Sequence, residues 1–325
     1  MARRLVLFLA TLGVGALFFV LLISKLGWEE IAKELSSFSL SMALVVALLT
    51  AIFLLAGAFR WKQVLLSLGS PVSLSKLWGP YLAGFSLLFF VPVIPFASEL
   101  FRAGVLQKQH RIPFSPSMAS VVIDRILEIT SNLSVIILGG LVFLAVGRPA
   151  FLSLKMAGIM VFVSLWFVFL FVLYARIFQR KSVLSLLWRN GSRAYEVEQE
   201  VFRFFRLRNA FFWRGLGASL LRSLAGYARA VAILFALGKG FAFLPGVAVL
   251  GFYYLGVLVP VPAALGSHDA LQAVAFNTFG FGAGAGAAFA LVIRSIEVVF
   301  ALGGLWLLAQ FGFSIAKTIL LKHGS

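Results

Sequence analysis

Long stretches without charge alternate along the chain with short stretches rich in it. Charge-free runs occupy residues 5–23, 38–59, 129–147, 156–175, 240–267, 270–293 and 298–316. Each is about 19 residues or longer, against the roughly 20 that a helix needs to cross a ~30 Å hydrocarbon layer. Two apolar stretches are interrupted. Residues 77–109 contain Pro92 and Pro95, with Glu99 and Arg102 just beyond, and residues 241–279 contain Pro260 and Pro262. Proline inside a helix removes a hydrogen bond and forces a break, and broken backbone at membrane depth survives only where protein or water covers it. The pattern predicts an all-α polytopic membrane protein with about six spanning helices and two re-entrant, broken-helix hairpins.

Composition agrees. Of 325 residues, 62% are hydrophobic and 12% charged, whereas a soluble domain runs at roughly 45–50% apolar and about 25% charged. A soluble enzyme and a disordered chain are both excluded. There are no cysteines, which removes disulfides, thiolate metal sites and cysteine nucleophiles. The net charge of +17 would suggest nucleic acid in a soluble protein. Here the basic residues sit mostly in loops between apolar runs, so the expected partners are membrane lipids with anionic headgroups rather than nucleic acid. Homo-oligomerisation stays open.

Loop charges give an orientation, because Lys and Arg of short loops accumulate on the cytoplasmic side. The start, Met1-Ala2-Arg3-Arg4, precedes an apolar run too long for a signal-peptide core, and no small-residue cleavage site precedes Lys25, so a retained first helix is expected. With Arg3 and Arg4 inside, Arg60, Lys62, Lys76, Lys108 and Arg111 also fall inside. So does the segment 176–214, which holds nine Lys and Arg and is expected to be a basic cytoplasmic linker, partly an amphipathic helix on the membrane surface. This assignment puts 19 basic residues inside, five outside and four within helices. Both termini are expected in the cytoplasm, with the chain multi-pass in the inner (cytoplasmic) cell membrane.

The chain also resembles itself. Arg60 stands nine positions before Gly69, as Arg229 does before Gly238. Gly84-Phe85 leads to Val91-Pro92, and Gly251-Phe252 to Val259-Pro260. Glu99 and Asp269 follow the breaks; Arg-x-x-Glu follows twice, as Arg125 with Glu128 and Arg294 with Glu297; and Leu-Gly-Gly-Leu closes each half at 138–141 and 302–305. An odd number of expected crossings separates corresponding elements. The expectation is therefore two inverted-topology repeats, the first membrane repeat over residues 1–150 and the second over 151–325. Inverted repeats with discontinuous helices are a transporter architecture with the substrate site near the midplane.

Charges within such segments are costly and usually face an interior cavity with a partner. Arg60, Glu99, Arg102, Asp124, Arg125, Glu128, Arg222, Arg229, Asp269, Arg294 and Glu297 are nearly balanced in sign. The two Arg-x-x-Glu pairs lie on single helix faces and can meet directly, which also suits a purely structural stitching of helices. Glu99, Arg102 and Asp269 lie beside the proline breaks, where Arg can grip a phosphate in bidentate fashion and an acid can bind a proton, a cation or a cationic headgroup. Gly282-Ala283-Gly284-Ala285-Gly286 reads as a helix-packing surface. His268 reads as a polar loop-end residue, and the Trp and Tyr residues as interfacial anchors. No metalloprotease, nucleophile-elbow or phosphotransferase signature occurs. The chain is not expected to be an enzyme or to need a cofactor or metal.

Phe59-Arg60-Trp61, residues 91–102 followed by Val122-Ile123-Asp124-Arg125, and residues 260–269 followed by Arg294 together resemble a known family. They are similar to the flippase-like membrane proteins that share the transmembrane region of lysylphosphatidylglycerol synthases, the multiple peptide resistance factors. The family pattern has Arg-Trp, a proline with Gly-Glu and Arg downstream, Asp-Arg, and later Pro-Gly-x-Gly with a nearby Glu, and it spans residues 40–311 here. Ala97-Ser98 stand before Glu99 where the family usually has Gly, Asp269 replaces a Glu, and residues 262–266 keep one loop glycine. The synthases add a soluble aminoacyl-transferase domain. With this sequence closing at Ser325, lysyl transfer is not expected, and the resemblance implies the translocation half.

The function expected is movement of a phospholipid or lipid-linked headgroup between leaflets through a polar cavity. Arg60, Glu99, Arg102, Asp124, Arg125, Glu128, Arg229, Asp269, Arg294 and Glu297 form the candidate headgroup site. Pro92, Pro95, Pro260 and Pro262 are the helix breaks. The alternatives are secondary transport of a small anion, or a non-transporting membrane partner of an envelope glycosyltransferase.

Overall fold

A computed structural model describes residues 27–92, 96–147, 154–180, 192–206 and 208–322, together with positions 17, 20, 21 and 24. Most of the expected first helix at 5–23, the proline at Pro95 and the boundary near residue 150 lie outside the described residues. Eleven α-helices are described, with no strand among the described residues: α1 (Trp28–Ser36), α2 (Leu40–Ser67), α3 (Leu74–Phe90), α4 (Ala97–His110), α5 (Phe114–Gly147), α6 (Leu154–Phe178), α7 (Ser192–Phe204), α8 (Ala210–Ala236), α9 (Phe243–Val257), α10 (Ser267–Thr278) and α11 (Ala283–Lys322).

Among the described residues, four helices are long and apolar enough to cross a membrane: Leu40–Ser67, Phe114–Gly147, Ala210–Ala236 and Ala283–Phe311. Their surfaces invert the pattern of a soluble protein. Leu40, Leu44 and Trp306 are 78%, 66% and 64% exposed, while Arg60 and Arg229 are fully buried. That arrangement costs heavily in water and suits a hydrocarbon surround. The chain is a multi-pass membrane protein.

The termini of the long helices follow local rules. Ser39 caps α2 by accepting from the Met42 N–H, and Asn209 caps α8 by accepting from the Phe211 N–H. Both helices end in a left-handed glycine, Gly69 (φ 68°) and Gly238 (φ 72°), with Ser70 N–H donating to Leu65 O and Lys239 N–H to Leu234 O. This closure satisfies carbonyls that a helix end otherwise orphans. It explains why Leu-Gly follows each of Arg60 and Arg229 at the same spacing.

The helices flanking the two breaks, α3, α4, α9 and α10, have 17, 14, 15 and 12 residues. At 1.5 Å per residue they reach about 18–26 Å, short of a ~30 Å core. α3 ends at Phe90 before Val91 and Pro92, and α4 begins after Phe96, a left-handed residue at φ 60°. α9 ends at Val257. A single 3₁₀ turn, Pro262–Ala264, then leads to Gly266 (φ 77°) and α10. Each pair folds back on itself: α3 packs on α4, and α9 on α10. Both predicted breaks are therefore present, with Pro92, Pro260 and Pro262 in non-α-helical backbone.

Ala263 and Ala264 sit at φ 53° and 48°, a region where a Cβ costs roughly 1–2 kcal/mol per residue. Ala263→Gly is expected to raise thermal stability by about 1 kcal/mol, read as a higher melting temperature of the detergent-solubilised protein. An unchanged or lower melting temperature would show the turn to be relaxed.

Packing joins the elements in matched ways. α2 lies along α8; α3 packs on α11 and α5 on α9; α1 packs on α11 and α7 on α5; α4 contacts α5, and α10 contacts α11. α2 and α8 run antiparallel. Asn209 Nδ2 donates to Ser67 Oγ at 3.0 Å at one end, and Ser37 Oγ donates to Ala236 O at 3.2 Å at the other, where Lys239 also pairs with Glu34 at 3.0 Å. The expected surface helix in the basic linker is α7. Its apolar residues Val201, Phe202 and Phe204 are buried with Ile123, Leu127 and Phe212, so this face docks on α5 rather than on lipid. Gly286 does pack closely: an added Cβ would overlap the Gln272 carbonyl of α10.

Candidate functional site

The buried charges converge where the two breaks meet. α2 carries Arg60 past the point where its charge-free run ends, because the residue turns inward. Arg60 Nε donates to Asp124 Oδ1 on α5 at 2.7 Å, and Arg102 Nη2 on α4 donates to Asp124 Oδ2 at 2.8 Å. Asp124 is fully buried and each of its oxygens holds one guanidinium. Arg102 also lies 4.0 Å from the Trp61 ring centroid and 5.0 Å from that of Tyr81, cation–π contacts that gain weight when desolvated. Trp61 is held in place by donating Nε1–H to Ser120 Oγ at 3.1 Å.

One helical turn further along α5, Glu128 meets three guanidiniums. Arg222 Nη2 on α8 is 2.9 Å from Oε1; Arg125 Nη1 and Arg60 Nη2 are 3.2 and 3.6 Å from Oε2. Arg125 also pairs with Glu99 at 3.4 Å. Arg222 stacks over Phe53 at 4.0 Å, and its Nη1 donates to Asn132 Oδ1 at 3.3 Å.

On the other side, Arg229 Nη1 donates to Glu297 Oε1 at 2.8 Å, an oxygen that also accepts from Tyr253 OH at 2.6 Å. Arg294 donates to Asp269 Oδ2, which also accepts from the Gly266 N–H at 2.9 Å. Asp269 thereby ties the second break to α11. His268 beside it is buried and shares a hydrogen bond with Gln272, so it belongs to the interior rather than to an exposed loop end.

A cavity of about 160 Å³ lies between these groups, large enough for several waters. Of the residues singled out from sequence, Glu99, Arg102, Arg125, Glu128, Arg222, His268, Arg294, Glu297 and Pro92 line it. Arg60, Asp124, Arg229 and Asp269 are fully buried behind that wall. A second hollow of about 170 Å³ adjoins at the first break and shares Pro92, Ser98, Glu99 and Arg125. Spacing did not point to Phe53, Tyr81, Asn132 or Tyr253 in the wall. Tyr81, Tyr253, Tyr254 and Trp61 are buried, a correction to the reading of Trp and Tyr as interfacial anchors, which suits the exposed Trp28, Trp213 and Trp306. The signal available was position. Tyr253 and Tyr254 stand in the middle of a charge-free run, where a buried hydroxyl needs a partner.

Chemically, six guanidiniums face five carboxylates in one low-dielectric cluster, leaving one positive charge over. Such a set can hold an anion and exchange partners around it. Among the described residues no group of His, Cys, Asp and Glu is arranged to hold a metal ion. The family model described as lysylphosphatidylglycerol synthase TM region matches residues 7–304. No curated protein matches the chain.

Proposed function

The chain belongs to the family of the lysylphosphatidylglycerol synthase transmembrane region, and on that premise we propose that it moves the headgroup of a phospholipid or lipid-linked compound between leaflets. The headgroup passes through the charged cavity while the tails stay in lipid. The observation that carries this reading is a cavity of about 160 Å³ walled by guanidiniums and carboxylates from both halves of the chain, inside a protein whose outer surface is apolar. Charges kept there at a desolvation cost are well placed to replace the water around a passing phosphate.

The halves, residues 1–150 and 151–325, are read as inverted repeats. Arg60 and Arg229, Arg125 and Arg294, and Glu128 and Glu297 are all separated by the same number of positions. Their contacts recur as well: Arg60 reaches Glu128 as Arg229 reaches Glu297, and Glu99 pairs with Arg125 as Asp269 does with Arg294. The corresponding helices α2 and α8 run antiparallel, which supports a pseudo-two-fold axis in the membrane plane. Phe53 and Arg222, themselves corresponding positions, stack across that axis. In this reading about six helices span and the two broken hairpins enter from opposite sides. Both termini lie in the cytoplasm, and the cell membrane is the site of action. Arg102, Arg125 and Arg294 in the wall attract phosphate, and Glu99, Glu128 and Glu297 gate its passage, while Arg229 and Asp269, buried behind the wall, hold Glu297 and Arg294 in place. No catalytic step is assigned to the chain.

Reconstituted into liposomes with a fluorescent-headgroup phospholipid, the protein is expected to expose inner-leaflet probe to an external quencher. Arg125→Gln, at a partly exposed position, is expected to slow that exposure about tenfold without loss of folded protein. Rates equal to those of protein-free liposomes would refute headgroup movement. Uptake of phosphate by the same vesicles would instead favour transport of a small anion.

A further inference from the structure

The ion pairs are unequally committed, and the inequality locates the ligand. Asp124 spends one oxygen on each of Arg60 and Arg102. Glu297 serves Arg229 and Tyr253, and Asp269 serves Arg294 and the Gly266 N–H. Glu99 stands 3.4 Å from Arg125. That leaves Glu128, which three guanidiniums share. Arg60, Arg102, Arg125 and Arg222 thus share the three carboxylates Glu99, Asp124 and Glu128. Arg60 is buried behind the wall and Arg102 is held by Asp124 and Trp61, which leaves Arg125 and Arg222, in the cavity wall with Asn132, to meet an added anion. Arg222 Nε is buried without a hydrogen-bond acceptor among the described residues. Arg125 is the most exposed guanidinium of the set, its side chain 34% accessible.

We propose that Arg125, Arg222 and Asn132 form a binding site for a phosphodiester monoanion, and that Glu128 is the built-in carboxylate with which this anion competes. The assignment rests on the lipid-moving reading and narrows it. One negative charge balances the surplus. Two non-bridging oxygens match two guanidiniums approaching from different helices, a planar fork that suits phosphate. Val257 and Val259 line the same cavity and are also 43% and 40% exposed. The wall thus continues into the apolar exterior, which gives acyl chains a lateral way out. This favours a phosphate carried by a lipid over a free one. Glu128 keeps the guanidiniums paired and sets a threshold that only an anion of comparable strength passes, a form of specificity by competition.

The test is phosphatidylglycerol binding to the purified full chain, measured by native mass spectrometry, with diacylglycerol as the phosphate-free control. Glu128→Gln is expected to bind phosphatidylglycerol about tenfold more tightly, because the competing charge is gone while the side-chain shape stays. Arg222→Gln is expected to lose most of that binding, and the double substitution to gain none. Glu128→Asp, which keeps the charge but withdraws it from Arg222, is expected to fall between wild type and Glu128→Gln, and covers the case in which Glu128→Gln does not fold. Unchanged or weaker binding by a folded Glu128 variant would overturn the proposal. Displacement of phosphatidylglycerol by inorganic phosphate would overturn the lipid as source. If wild type moves no lipid yet Glu128→Gln binds more tightly, the site stands and the transport reading falls. If wild type moves lipid and these variants bind alike, the reverse holds.

Discussion

Asp124→Asn is expected to cost about 3–5 kcal/mol of stability, the scale for breaking a buried ion pair by removing one partner. Asp124 is fully buried, and its carboxylate is the one hydrogen-bonded acceptor shared by Arg60 and Arg102, themselves 0% and 6% exposed. Asparagine keeps the shape but supplies one acceptor oxygen for two guanidiniums and no charge. Two cations would then share a dry site with Glu128 as the nearest relief, at 3.6 Å from Arg60. The second half makes the point by contrast. There Ile293 precedes Arg294 as Asp124 precedes Arg125, and Arg229 and Arg294 each have a carboxylate of their own, Glu297 and Asp269. The expected readout is loss of the monodisperse peak on extraction and a lower melting temperature. Removing all three charges together, as Arg60→Met, Arg102→Met and Asp124→Leu, is expected to recover folding. A folded Asp124→Asn protein with wild-type melting behaviour would show the pair to be dispensable.

That helices cross the membrane was legible because lipid tolerates few charges, although the charge-free run 270–293 is divided between α10, which ends at Thr278, and α11, which begins at Ala283. The run at 129–147 falls within α5 (Phe114–Gly147), and the breaks come at Pro92 and at the pair Pro260 and Pro262, whereas Pro80 stays inside α3 without ending it. Helix ends were less legible. α2 runs to Ser67, beyond the charge-free limit at residue 59, since Arg60 turns into the protein instead of ending the helix. Spacing found Arg125 with Glu128, neighbours on one helix. Nothing in spacing places Arg222 against Glu128, or Arg102 against Asp124, because those contacts join helices distant in the chain. The cation–π partners Phe53, Trp61 and Tyr81 were hidden for the same reason. The repeat carried most of the long-range information. Two Arg-x-x-Glu segments at equal distance from two buried arginines already implied equivalent surroundings.

Within each Leu-Gly-Gly-Leu, the two glycines are expected to respond to alanine with opposite signs. An added Cβ at Gly304 would overlap Ser86 Oγ and the Leu82 carbonyl where α11 crosses α3, and one at Gly139 would lie 2.9 Å from Gly251 Cα and Val247 O where α5 crosses α9. These neighbours are largely backbone, so relief requires the helices to part. Gly304→Ala and Gly139→Ala are therefore expected to destabilise by about 1–3 kcal/mol, the range for an overpacked interior. Leucine at either place is expected to abolish the fold, since small residues are what let membrane helices approach. A Cβ at Gly303 or Gly140 meets nothing within 4 Å. There alanine only improves helix propensity, worth up to about 1 kcal/mol. Melting temperatures of the four alanine variants should split into two lowered and two unchanged or raised. If Gly303→Ala and Gly140→Ala fall while Gly304→Ala and Gly139→Ala do not, the helix register is off by one residue at each crossing. The ion pairs placed by the same helices, Asp124 and Glu128 on α5 and Arg294 and Glu297 on α11, would then turn away from the cavity. Four alanine variants thus test the positions of those four charges without touching any of them.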